Sequence, residues 1–270
     1  MDISFQQWGD NHSCEQILFI HGWGMNSGIW TDIAEYSAQL KPQMLIRSID
    51  LPGYGHSADY SIDELGGQYT SRTLAESLES LLEGKQTTLI AWSMGGLVAI
   101  ELLAKHSRAD KSLDITKLIL VSSTPRFVQA KDWQDAVEAK IFEDFSRSLT
   151  RDHNAALKRF LAIQALGSRT AREDIKILQK QLFLRGKPSS KALESGLNIL
   201  LKEDKRQQLK EITDIPITLI SGMKDTLIAH QGQKQLAEQN NISLFNIPSA
   251  SHAPFISHPE EFKQILQKVI

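Results

Sequence analysis

The 270-residue sequence contains little cysteine and no long apolar run. Its single cysteine, Cys14, excludes an internal disulfide framework and offers no metal-ligand spacing, which is typical of a reducing cytoplasm. No apolar segment approaches the roughly 20 residues that a membrane-spanning helix needs. The first ten residues lack the basic segment, apolar stretch and cleavage site of a secretory signal. We therefore expect a cytoplasmic protein without a membrane partner.

Hydrophobic residues make up 41% of the chain, enough for one large domain or a domain with an insert. The formal net charge is only -2, but charge is unevenly distributed. Between Arg147 and Lys210 there are fifteen basic and six acidic residues, so this segment carries +9 and the remainder -11. Such asymmetry indicates a local acidic partner rather than a generally adhesive surface.

Short apolar runs that end in Gly, Pro, Asp or Ser alternate with helical patterns. This alternation is typical of an α/β fold with a mostly parallel central sheet flanked by helices. The predicted strands are 17–20, 44–49, 87–91, 117–121, 217–220 and 243–247, with 3–8 as an antiparallel edge. The predicted helices are 74–82, 95–105, 231–238 and 259–269.

The alternation stops between residues 123 and 216, where the sequence becomes helical and charged. Leu157, Leu161 and Gln164 fall on one face of a helix in this segment. We interpret residues 124–207 as a helical cap inserted between two strands of a core that comprises residues 1–123 and 208–270. No internal repeat interrupts this organisation.

Ser93 stands where a buried strand runs into a helix, in Ala91-Trp92-Ser93-Met94-Gly95. This is the setting of a nucleophile elbow, whose tight turn strains the serine backbone and lifts its hydroxyl above the sheet. Small residues two positions to either side let the strand and helix approach closely, and Ala91 takes the place of the usual glycine. The alternative is a surface serine that caps a helix.

A nucleophilic serine needs a base and an acid, and hydrolases with such an elbow carry them in the order nucleophile, acid, histidine. His252 follows the last predicted strand, and Asp225 follows the strand before it. We therefore predict Ser93, Asp225 and His252 as the catalytic set. Some hydrolases place the acid one strand earlier, but Ser122-Ser123-Thr124 there has no carboxylate. The alternative for Asp225 is a turn-forming residue.

Acyl transfer also needs hydrogen-bond donors for the tetrahedral oxyanion. His21-Gly22-Trp23-Gly24 directly follows the strand 17–20, and its glycines permit a turn that points an N–H inward. We assign the two donors to the backbone amides of Trp23 and Met94. His21 is interpreted as a structural residue that braces this loop.

Five motifs indicate which family of proteins the chain resembles. They are HGWGMN at 21–26, DLPGYG at 50–55, WSMGGLVA at 92–99, FLAIQ at 160–164 and HAPFISHP at 252–259. From about residue 15 to the end, the chain resembles the pimeloyl-acyl-carrier-protein methyl ester esterases of biotin synthesis, which are α/β-hydrolases. The elbow and triad are shared by many hydrolases, whereas the last two motifs are more specific.

The resemblance implies removal of the methyl group from a pimeloyl chain carried on acyl carrier protein. Such carriers are acidic, which fits the basic cap. Arg159 and Arg172 match carrier-contacting arginines of the family, and Lys176 sits where the family can have arginine. The substrate-binding candidates are Trp23, Trp92, Phe145, Phe160, Leu161 and Gln164.

Four alternatives remain open at this point. The chain could be a broad short-chain carboxylesterase or a carbon-carbon bond hydrolase, because the triad does not separate these activities. It could also be a non-catalytic ligand-binding protein on a hydrolase scaffold. The cap could be only a solvated charged surface. We expect a monomer that binds no nucleic acid and requires no metal or organic cofactor.

Overall fold

A seven-stranded sheet forms the centre of the computed structural model, which describes residues 3–60, 63–108 and 113–270. The strands lie in the order β1-β3-β2-β4-β5-β6-β7; β1 is antiparallel to β3, and the other neighbours are parallel. The mostly parallel sheet with an antiparallel edge is thus confirmed. The strands are β1 (Phe5–Gly9), β2 (Glu15–Ile20), β3 (Leu45–Ile49), β4 (Gln86–Trp92), β5 (Asp114–Val121), β6 (Ile217–Gly222) and β7 (Ser243–Ile247).

The central strands are buried along almost their whole length. Every residue of β6 is buried, as are all but the first residues of β2 and β4. Such continuous burial is typical of a parallel sheet that is covered on both faces, and it explains why these strands appear in the sequence as unbroken apolar runs.

Eleven α-helices lie within the described residues. The predicted helix 74–82 begins earlier, at Ser71, because Thr70 and Thr73 form a reciprocal capping box at its start, and it continues beyond Leu78 as a 3₁₀ turn. The helices are α1 (Thr31–Leu40), α2 (Ser71–Leu78), α3 (Met94–Arg108), α4 (Ala139–Arg151), α5 (His153–Gln164), α6 (Ala171–Leu184), α7 (Ser190–Lys202), α8 (Arg206–Glu211), α9 (His230–Asn240), α10 (Pro254–Ser257) and α11 (Pro259–Val269).

Helices α4 to α8 all lie between β5 and β6, in the segment where the strand-helix alternation stops. The two ends of this insert meet, since the backbone N–H of Lys205 donates to the carbonyl of Pro125 at 2.7 Å. Helix α8 runs across the predicted boundary at residue 207. The limits 124–207 for a separate cap stay a prediction. We use the word cap below for residues 124–207.

The parallel strands all end at one edge of the sheet. The loops after β2, β3, β4, β6 and β7 therefore meet there, and ligands of open α/β sheets bind in this position. These loops contain the residues from which the sequence predicts chemistry. The sheet thus brings together segments that are far apart along the chain.

Candidate active site

Ser93 occupies the turn between β4 and α3. Its backbone φ is 54°, in the left-handed region that residues other than glycine rarely adopt. Its N–H donates to the carbonyl of Val121 at 3.0 Å, and its carbonyl accepts a hydrogen bond from Ser123 Oγ at 2.7 Å. A Cβ atom added to Gly96 would lie only 2.0 Å from Ser123 Oγ. The turn is therefore held on both sides and has the geometry of a nucleophile elbow.

His252 lies between Ser93 and Asp225. Its Nε2 is 2.9 Å from Ser93 Oγ, and its Nδ1 is 2.8 Å from Asp225 Oδ2. A carboxylate only accepts hydrogen bonds, so Nδ1 carries the proton and Nε2 is free to accept the serine proton. The side chains of His252 and Asp225 are fully buried, which strengthens both interactions.

The acid is itself fixed by its own loop. Asp225 Oδ1 accepts hydrogen bonds from the backbone amides of Leu227 at 2.8 Å and Ile228 at 3.0 Å. Its other oxygen therefore faces the imidazole. The structure thus brings together all three residues that the sequence suggests as a triad, and the turn around Asp225 serves to orient its carboxylate.

The cap holds the loop that carries His252. The backbone N–H of His252 donates to the carbonyl of Gln164 at 3.1 Å, and Ser251 Oγ donates to the carbonyl of Leu166 at 2.6 Å. Trp92, the last residue of β4, also holds this loop. Its Nε1 donates to the carbonyl of His252 at 2.8 Å, and its ring packs against Phe255. Trp92, predicted as a substrate wall, therefore lies where it supports the histidine loop.

The loop after β2 lies against the nucleophile. A Cβ atom on Gly22 would be 2.9 Å from Ser93 Cβ, so only glycine allows this approach. Within the described residues, no protein group accepts a hydrogen bond from the Trp23 or Met94 backbone amide. Both predicted oxyanion donors are therefore available to a ligand.

His21 fixes the peptide that contains the Trp23 amide. Its Nδ1 donates to the carbonyl of Gly22 at 2.8 Å, and its Nε2 accepts from the backbone N–H of Leu51 at 3.0 Å. In a trans peptide the C=O and N–H point in opposite directions, so the Trp23 N–H is turned away from the imidazole. This arrangement requires a neutral His21, and burial lowers its pKa from 6.5 to about 4, although Gly22 and Asp50 partly oppose the shift.

A group of buried side chains lies where the cap meets residues 21–27 of the loop after β2, which we call the oxyanion loop. The rings of Trp23 and Phe160 are 4.5 Å apart, and those of Phe145 and Phe160 are 5.5 Å apart. Leu161 and Gln164 are buried on the same helix, α5. Among the described residues, the Gln164 side-chain amide has no hydrogen-bond partner. The group combines apolar walls with one free polar end.

The predicted docking residues are exposed on two cap helices that pack together. Arg159 lies on α5 with its guanidinium carbon 5.3 Å from the centre of the Phe145 ring. Arg172 and Lys176 lie one turn apart on α6. In the part of the chain that the structure describes, none of the three forms an ion pair. They are therefore free to meet an acidic surface.

Some basic residues of the +9 segment do not face solvent. Arg185 pairs with Asp50, and Lys205 pairs with Glu101 on α3. The segment therefore uses part of its charge to attach to the core, which the charge count along the sequence did not reveal.

The structure also adds Ser123, which supports the Ser93 carbonyl. The only signal for Ser123 was its position in the loop after β5.

Two further observations concern metals and membranes. Over residues 3–60, 63–108 and 113–270, no cluster of three or more His, Cys, Asp or Glu side chains could hold a metal ion. None of the helices in these ranges is both long and apolar enough to cross a bilayer.

Comparisons of the chain with known proteins show which family it belongs to. The Alpha/beta hydrolase family profile matches residues 17–265. The pimeloyl-[acyl-carrier protein] methyl ester esterase of Photobacterium profundum is 38% identical over 97% of both chains. That of Aeromonas hydrophila is 34% identical over the full length of both. The chain belongs to this esterase family of α/β-hydrolases. An esterase from Exiguobacterium antarcticum, at 22% identity, shares the fold with a TM-score of 0.78 over 98% of this chain and 94% of that chain.

The buried His21 predicts a specific dependence of stability on pH. The folded protein does not protonate His21 until about pH 4, whereas the unfolded chain does so near 6.5, so the free energy of unfolding should fall as the pH drops through this window. His21 should account for about 3 kcal/mol of that fall. Urea unfolding at a series of pH values measures it. His21→Gln should flatten the slope and exposed His12→Gln should not. A His21→Gln slope equal to the wild-type slope would contradict the assignment.

Proposed function

We propose that the protein is a serine carboxylesterase that removes the methyl group from a pimeloyl chain carried on acyl carrier protein, releasing methanol. The observation that carries the reaction class is the continuous hydrogen-bond chain from Ser93 Oγ through His252 to Asp225, beside two free backbone amides. The substrate class is supported by the names of relatives that align over nearly the whole chain.

The first step forms an acyl-enzyme. Ser93 Oγ attacks the ester carbonyl carbon while His252 Nε2 takes the hydroxyl proton, and Asp225 stabilises the resulting imidazolium. The carbonyl oxygen becomes an oxyanion that accepts hydrogen bonds from the Trp23 and Met94 amides. Collapse of this intermediate breaks the bond to the methoxy group, and His252 gives its proton to methanol as it leaves.

The second step returns the enzyme to its starting state. Water gives a proton to His252 and attacks the acyl carbon, and the same two amides hold the second oxyanion. When this intermediate collapses, Ser93 Oγ leaves and regains the proton from His252. The products are methanol and a carboxylic acid at the far end of the carried chain, which releases its proton to solvent as it ionises, and water is the only other reactant consumed.

Positioning determines which end of the substrate reacts. The carried chain also contains a thioester, which is intrinsically easier to cleave than a methyl ester. A carrier docked outside the site would hold the thioester away from Ser93 and deliver only the distal ester to it. Trp23, Phe145, Phe160 and Leu161 offer apolar contact to the chain, and the Gln164 amide offers a hydrogen bond to a polar group.

The docking surface in this proposal comprises Arg159, Arg172 and Lys176. Their exposure and lack of ion pairs in the described chain suit an acidic partner, and electrostatic complementarity mainly increases association rate and specificity. Arg159 also covers the Phe145 ring, so replacing it changes packing as well as charge. Arg172 and Lys176 therefore provide the cleaner test.

Covalent labelling tests the nucleophile. A fluorophosphonate probe should add one adduct to the folded wild-type protein, and Ser93→Ala should abolish it without unfolding the protein. Asp225→Asn should slow labelling by a factor on the order of 10⁴, because the imidazole loses its correct tautomer. Intact-mass spectrometry measures all three. A folded wild-type protein that resists the probe would indicate a ligand-binding protein instead.

Charge reversal tests the carrier. Arg172→Glu with Lys176→Glu should lower kcat/KM for the methyl pimeloyl carrier roughly tenfold or more, since the local field would repel an acidic partner. The same ester on N-acetylcysteamine, which has no carrier, should react as with the wild type. Lys234→Glu with Lys268→Glu on α9 and α11 changes net charge equally and serves as the control. Equal kcat/KM with and without the carrier, insensitive to salt and to the reversal, would defeat carrier docking.

A further inference from the structure

Asp50 is a buried carboxylate that the proposed reaction does not use. It lies in the loop after β3 and has no solvent exposure. Oδ1 accepts from the backbone N–H of Ser27 at 2.7 Å, and Oδ2 accepts from the backbone N–H of His56 at 2.9 Å. Burial alone would raise the pKa of Asp50, but hydrogen bonds from Arg185, Ser27 and His56 outweigh it and hold the pKa below its usual value. Asp50 is therefore a buried charge.

Arg185 supplies the countercharge from the cap. Its Nη2 and Nε atoms donate to Asp50 Oδ2 at 2.9 and 3.2 Å, across 135 positions of sequence. Only 14% of the Arg185 side chain is exposed. A buried ion pair with several added hydrogen bonds is geometrically restrictive, and removal of one partner leaves an uncompensated charge.

The last turn of α6, which Arg185 directly follows, also binds the oxyanion loop directly. Asn26 Nδ2 donates to the carbonyls of Gln181 and Leu182 at 3.1 and 3.2 Å. These carbonyls belong to the last turn of α6. The carbonyl groups of a last turn have no hydrogen-bond partners within the helix. Asn26 and Ser27 thus attach to the helix end and to Asp50, respectively.

The same network reaches the loop from its other side. Leu51, the neighbour of Asp50, donates its N–H to His21, and His21 in turn holds the carbonyl of Gly22. The segment between His21 and Ser27, which contains Trp23, is therefore fixed at both ends by groups that converge on residues 50 and 51.

We propose that Arg185 is a positioning residue that acts through Asp50 to hold the oxyanion loop, and with it the Trp23 amide, in its reactive place. The inference rests on the proposed function, since it takes the Trp23 amide as an oxyanion donor. Arg185 does not touch the substrate. Its effect should therefore fall on transition-state stabilisation rather than on substrate binding.

The test measures hydrolysis of p-nitrophenyl butyrate, a carrier-free ester, by the full-length protein. Arg185→Met keeps the aliphatic stem and removes the charge, and it should lower kcat roughly tenfold or more while KM changes little, since loss of one oxyanion donor costs about 10²- to 10³-fold. Arg185→Lys restores the charge without the two-pronged contact and should recover part of kcat. Arg206→Met, which breaks the ion pairs of Arg206 with Asp204 and Asp132 elsewhere in the insert, is the matched control and should keep kcat.

A double variant tests whether Arg185 acts through Asp50. Adding Asp50→Asn to Arg185→Met removes the stranded buried charge, so the double variant should be no slower than Arg185→Met alone. The inference would be overturned if the loss of kcat in the double variant equalled the product of the losses in Arg185→Met and Asp50→Asn. It would also be overturned by an unchanged kcat in folded Arg185→Met, an equal loss in Arg206→Met or, if Arg185→Met does not fold, a wild-type kcat in Arg185→Lys. No hydrolysis or labelling by the wild-type protein would instead refute the proposed function.

Discussion

The backbone of Ser93 adopts a left-handed conformation with a φ of 54°, which costs on the order of 1–3 kcal/mol for a residue with a side chain. The surrounding structure is built to sustain this strain. Val121 and Ser123 hold the peptide groups on either side of the serine, and Gly96 leaves room for Ser123. The strained turn places Oγ in reach of His252, so the rest of the site is arranged around it.

The cap and the catalytic loops form one hydrogen-bonded unit. Trp23 Nε1 donates to the carbonyl of Leu193 at 2.8 Å, and the hydroxyl of Tyr54 donates to that of Ala192 at 3.0 Å. The loop of His252 is likewise tied to the end of α5. In the proposed function, a substrate chain bound beside these residues meets groups whose positions the cap also determines. This arrangement gives a physical basis for selecting one of two chemically similar carbonyls.

The sequence was sufficient for features that depend on local order along the chain. The apolar runs located the strands, and residues in the loops that follow strands, such as Ser93, Asp225 and His252, meet because parallel strands end at one edge. Pairings between distant segments had no local signal. Arg185 contributed only to a charge count, and its partner Asp50 belonged to a glycine-rich turn. The contacts of Trp92 with the histidine loop also had no local signal, because His252 and Phe255 lie far along the chain, and its role as a substrate wall stays a prediction.

The central claim is that Ser93 acts on the distal ester and leaves the thioester intact. Hydrolysis of methyl pimeloyl carrier in H₂¹⁸O, followed by mass spectrometry of the carrier and of the released alcohol, tests it directly. The account predicts unlabelled methanol, a carrier that retains its acyl chain, and one ¹⁸O in the new distal carboxylate. Release of the carrier as a free thiol, with the methyl ester intact, would contradict it.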